Sequence, residues 1–200
     1  MTTDARQTQL TRRIRWLVAG TIGYNVAEAV VAVSAGAAAS STALVGFGLD
    51  SAIEVTSAAA VAWQFSGTDP EARERTALRV IAVSFFALAG YLAVESARAL
   101  LGATEARPST VGIVLAAVSL LVMPVLSTAQ RRAGRELGSA SAVADSKQTM
   151  LCTYLSAVLL VGLALNELFG LSWADPVVAL VIAGVAVNEG RRAWRGDGCC

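Results

Sequence analysis

The sequence predicts an all-α membrane protein with six transmembrane helices and both termini in the cytoplasm, and three observations predict it. Of the 200 residues, 55% are hydrophobic and only 16% are charged, whereas a soluble domain carries about 25% Asp, Glu, Lys and Arg. The apolar residues collect in six runs, each approaching the roughly 20 residues that a helix needs to cross about 30 Å of hydrocarbon. An even number of crossings returns the chain to its starting side, and every cation except Arg98 and Arg107 falls on that side. The positive-inside rule makes it cytoplasmic.

The first run, Ile14 to Gly36, follows Arg6, Arg12 and Arg13. It is long and lacks a small-residue cleavage site, so it reads as a helix and not as a cleaved leader. The second spans Thr42 to Phe65. Gly67, Asp69, Pro70 and Glu71 then supply turn chemistry and an acidic helix start ahead of the third, Ala77 to Leu101. Pro108 opens the fourth, Val111 to Ala129, and Pro124 inside it removes a backbone donor and is expected to kink it. The fifth runs from Ala142 to Leu165. The sixth, Trp173 to Val187, is short, with Trp173 and Trp194 marking its interfaces. Residues 1–13 and 188–200 are then cytoplasmic ends around a transmembrane domain of residues 14–187, with too little chain after it for a folded cytosolic domain. Gly20 with Gly23, and Ser57 to Ala60, are expected to admit close helix contact.

A net charge of +1, with no basic face interleaved with aromatics, excludes a nucleic-acid partner. The absence of histidine removes the usual general base, the HExxH metalloprotease and every His-based zinc cage. An intramembrane enzyme would lack a nucleophile–base pair, and no resident cofactor is expected. Cys152 lies in an apolar run and Cys199 with Cys200 at the far end, which makes no disulfide framework. The terminal pair is open to cytosolic metal binding, lipid attachment or no role.

An ionisable side chain near mid-bilayer is costly and by default functional. Asp50 and Glu54 stand at i and i+4 in the second run, on one helix face and about 6 Å apart along the axis. Two such carboxylates repel unless a cation, a proton or a basic side chain lies between them, and no Lys or Arg is available at that depth. The bland alternative is a protonated carboxyl bonded to a serine. In the fifth run Gln148 and Cys152 repeat the i,i+4 spacing, with Asp145 at the cytoplasmic mouth. If the second and fifth helices run antiparallel, Cys152 comes level with Asp50 and Gln148 with Glu54. Two carboxylates, a thiolate and an amide oxygen then converge on one cation, although a lone Cys152 is as readily a small buried hydrophobe. Asn25, Glu28, Glu95 and Asp175 are candidates to line a cavity, relay protons or bond other helices. For Asp175 a helix N-cap before Pro176 is the favoured reading.

Six helices, Asp50-Ser51-x-x-Glu54, Ala144-Asp145 and Asp175-Pro176 resemble the cation diffusion facilitators. The family pattern is Asp-x-x-x-Asp in helix two and Ala-Asp-x-x-His-x-x-x-Asp in helix five. Asp50 and Glu54 take the first two acidic positions, Gln148 the histidine position and Cys152 the last acidic one. Gly46 to Asp50, Asp145 to Thr149 and Leu151 to Ser156 also look like a short subgroup that includes the vesicular zinc transporter-like membrane proteins.

The resemblance implies a homodimeric carrier of zinc or a related divalent metal (Cd, Co, Fe or Mn), exchanging metal for protons at a site made by helices two and five. Gln148 and Cys152 soften the ligand set relative to the family pattern. The few residues after the sixth run leave no room for the family's C-terminal cytosolic domain, so a dimer is expected to form through the membrane helices. Outward transport from the cytoplasm by alternating access is the expected activity, with a non-transporting metal sensor or accessory subunit as the rival. Arg for all but one basic residue, with abundant Ala, points to a high-GC bacterium and thus to its inner, plasma membrane.

Overall fold

The computed structural model describes residues 3–65, 70–102, 105–137 and 140–195, and the regular structure among them is all helical. Six helices follow in order: α1 (Thr3–Ala39), α2 (Thr42–Phe65), α3 (Pro70–Leu100), α4 (Thr110–Leu137), α5 (Ala140–Phe169) and α6 (Ala174–Arg195). Each expected run lies on one of them. Most of the helices outlast their runs, because hydropathy marks contact with lipid while the i to i−4 hydrogen bonds continue beyond it. α4 runs from Thr110 to Leu137 with Pro124 inside it.

Among the described residues, four helices carry stretches long and apolar enough to cross a membrane: Trp16–Ala39, Leu78–Leu100, Thr110–Ala133 and Thr149–Phe169. α2 is strongly apolar apart from Asp50 and Glu54, and α6 is made more polar by Asp175 at its start and Glu189, Arg191 and Arg192 near its end. The protein is therefore a multi-pass membrane protein. Large apolar side chains such as Val30, Leu121, Val125, Tyr154, Val161 and Leu168 are exposed, as a lipid-facing surface requires. Leu44, Phe47, Leu92, Met123, Leu159 and Ile182 are sealed inside. In lipid, which is as apolar as Leu, such residues join helices by van der Waals packing and not by escape from water.

The helices associate as three close pairs, α1 with α2, α3 with α6 and α4 with α5. α2 also touches α3, α6 and, sparingly, α5. The α1–α2 pair is held at backbone distance by two glycines. A Cβ at Gly48 would stand 2.8 Å from Ala32 Cβ and 2.9 Å from Val33 N, and one at Gly36 only 2.7 Å from Val45 N. Gly20 and Gly23, expected to make such contacts, have open space beside them. They lie nearer the start of α1, away from the Gly36–Gly48 crossing. The close approach sets a register that continues along the pair: Asn25 meets Glu54 and Glu28 meets Ser51.

Local chemistry fixes the ends. α1 stops in a Schellman motif, with Ser40 at φ 55° and bonds from Ser41 N to Gly36 O and Ser40 N to Ala37 O. The Arg107 backbone N–H and guanidinium then donate to the last carbonyls of α1, Ala39 O at 2.8 Å and Ala38 O at 2.6 Å. Ser41 caps α2 through Leu44 N, and Ser109 caps α4 through Gly112 N. The fourth helix is thus opened by Ser109, one residue beyond the expected Pro108.

Candidate metal site

The α2 register places Asp50 and Glu54 one turn apart and buried, 7% and 9% exposed. Cys152 of α5 faces them with no exposure. One carboxylate oxygen of each acid and Cys152 Sγ lie within 4.8 Å of one another, and no other such trio occurs among the described residues. Ligand atoms around a tetrahedral zinc stand about 3.4 Å apart, given metal–ligand bonds of about 2.0–2.3 Å. A small inward movement of side chains would close this trio on an ion. No Lys or Arg pairs with either carboxylate among the described residues.

The register differs from the expectation in one respect. Cys152 was expected level with Asp50, yet its thiol donates to Glu54 Oε1 at 3.1 Å. Side chains lean toward the N-terminus of their own helix. In an antiparallel pair, Glu54 and Cys152 therefore lean toward each other, and the extra methylene of Glu carries its carboxyl to the thiol. Gln148 and Asp145 lie on α5, but their side chains are outside the described residues, as are Cys199 and Cys200.

α1 supplies a second layer around the trio. Asn25 Nδ2 donates to Glu54 Oε2 at 2.7 Å. Glu28, 1% exposed, accepts from Ser51 Oγ at 2.7 Å and from Ser119 Oγ of α4, which is also bonded to Tyr24 OH at 2.7 Å. Glu28 thus ties α1 to α2 and α4 through hydroxyls. Ser51, Ser119 and Tyr24 escaped sequence reasoning, since serine and tyrosine are ordinary in membrane helices. Further along, Gln130 Nε2 donates to Thr21 Oγ1 and Thr149 Oγ1 to Gln130 Oε1, a buried polar layer joining α1, α4 and α5.

Two of the remaining candidates sit elsewhere. Glu95 pairs with Arg98 at 2.9 Å on the surface of α3. Asp175 was read as the cap of its own helix, but α6 already begins at Ala174. Its carboxylate instead accepts from Ser41 Oγ and from Ala43 N at 3.2 Å. An anion at the positive end of a helix dipole is favourable, and here the helix served is α2.

Two openings approach these groups. A cavity of about 20 Å³, room for one water or small ion, is lined by Thr21, Asn25, Glu54, Ala58 and Thr149. A larger apolar cleft of about 390 Å³ between α1 and α4 reaches Tyr24 and Glu28 but none of the trio.

A family model described as the cation efflux transmembrane domain matches residues 20–195, a stretch that takes in the whole trio and all of α2 to α6. The chain belongs to the cation efflux family. No curated protein matches it. Cation efflux proteins are transporters and not enzymes, so this member is a metal cation transporter. Of the positions expected in helices two and five, Asp50, Glu54 and Cys152 are brought together here.

Proposed function

We propose that this cation efflux protein exports a divalent transition metal, zinc foremost, from the cytoplasm across the bacterial plasma membrane in exchange for protons. All six helices cross the bilayer in this reading, with both termini cytoplasmic, and a second copy completes a homodimer through membrane helices. The observation that carries it is the buried trio of Asp50, Glu54 and Cys152, two acids without a basic partner among the described residues, beside a thiol. Carboxylate oxygen with sulfur suits borderline ions such as Zn²⁺ and Cd²⁺ better than Mg²⁺. Gln148, at the family's histidine position, is a candidate for a further amide oxygen.

Ligands bind metal only when deprotonated, so metal uptake releases protons and acid favours metal release. Without histidine, the carboxylates carry that exchange. Alternating access then exposes this one site to one side of the membrane at a time. The deciding experiment is metal uptake by purified protein in liposomes with an imposed pH gradient. Accumulation of Zn²⁺ driven by that gradient is expected. Tight binding without flux would leave a metal sensor and overturn the transport reading.

A further inference from the structure

Asn25 is 3% exposed and engages only one of its two polar side-chain atoms. Its Nδ2 donates to Glu54 Oε2, while its Oδ1 is buried without a partner. Leaving a buried carbonyl unsatisfied costs about 1–3 kcal/mol. The neighbours offer no relief. Val18, Ile22 and Ala58 along the adjoining small cavity have no side-chain donor. The Thr21 hydroxyl donates to Leu17 O and that of Thr149 to Gln130 Oε1. Asn25 and Glu54 both line that cavity of about 20 Å³.

We propose that Asn25 is itself a metal ligand, through Oδ1, so that α1 joins α2 and α5 in holding the cargo. The proposal rests on the reading of Asp50, Glu54 and Cys152 as a metal site and deepens it. The three ligands that the described residues bring together leave a tetrahedral ion one short, a position for which Asn25 and Gln148 are competing amide donors. An amide oxygen is a neutral donor that fills a position without adding a charge to be neutralised. The alternative role is positioning: Nδ2 would merely hold Glu54 in place, and the loaded ion would never touch α1. The two roles make opposite demands on the side chain. A ligand needs an oxygen, and a positioning donor needs an N–H.

Asn25→Asp keeps the oxygen and removes the donor; Asn25→Ala removes both. The probes are Zn²⁺ affinity by calorimetry and the visible d–d spectrum of bound Co²⁺, measured on the full chain in detergent. A ligand role gives a loss of tenfold or more for Asn25→Ala, an altered Co²⁺ spectrum at saturation, and affinity within threefold of wild type for Asn25→Asp. Overturning results are an unchanged saturated Co²⁺ spectrum in Asn25→Ala, or an Asn25→Asp variant as weak as the alanine one. Asp50→Asn measured alongside separates the two failures. If the wild type binds neither metal, the site itself is wrong. If Asp50→Asn abolishes binding while Asn25→Ala leaves the saturated spectrum unchanged, only the α1 ligand is wrong.

Discussion

Asp50 and Glu54 share a helix face but not an environment. Glu54 is engaged by Cys152 and Asn25, whereas Asp50 makes no hydrogen bond with any described residue. A buried carboxylate of that kind has the most to gain from a cation. Asp50→Asn, isosteric and uncharged, should abolish transport while leaving membrane insertion intact, as read by liposome flux at equal reconstitution. Cys152 makes a second prediction. Thiolate favours soft ions, so Cys152→Ser should weaken Cd²⁺ binding about tenfold or more and Mn²⁺ binding much less. Equal losses in calorimetry would show that the sulfur is packing. The i,i+4 pair and the thiol were legible because each is chemically out of place in an apolar run. The hydroxyls around Glu28 were not, because Ser51 and Ser119 become informative only when a carboxylate 23 or 91 positions away comes to rest on them.

At the scale of helices, each apolar run read from the sequence falls on a helix, four of them long and apolar enough among the described residues to cross a membrane, but what finishes the helices was misjudged. Asp175-Pro176 has the local form of a cap, and its true partners, Ser41 and Ala43, lie more than 130 residues earlier. No local pattern carries that information. Asp175→Ala removes a charged acceptor from the start of α2 and should cost about 1–2 kcal/mol, seen as a lower Tm in detergent. Glu95→Ala is the control. It breaks only the exposed pair with Arg98, and such pairs are worth about 0–1 kcal/mol. A Tm drop as large for Glu95→Ala would mean that the Asp175 cap contributes nothing particular. Gly48 and Gly36, not the more conspicuous Gly20 and Gly23, set the α1–α2 distance, since a glycine acts only where another backbone crosses it.

For the whole molecule, proton exchange is the property to test. Protons and metal compete for the same oxygens, so affinity should fall as pH falls and rise as it rises. Glu54→Gln deletes one competing group and should flatten that dependence, measured as Zn²⁺ isotherms across a pH series. A wild type without pH dependence, or a Glu54→Gln variant that keeps all of it, would move the exchange to Glu28, Glu95 or Asp145.

The sparse contact between α2 and α5 has a mechanical consequence. Asp50 and Glu54 belong to a pair of helices locked together by the Gly36–Gly48 crossing, while Cys152 belongs to the α4–α5 pair, which α1 reaches through the hydrogen bonds of Tyr24, Glu28 and Thr21. Any relative displacement of the two pairs stretches the coordination sphere across its middle, because the ligands ride on different bodies. Grip on a bound ion would then depend on the spacing between the two pairs. If the proposed transport cycle separates these pairs, opening the protein and loosening its cargo would be one event, and a covalent crosslink between α2 and α5 should trap the ion inside even under acid.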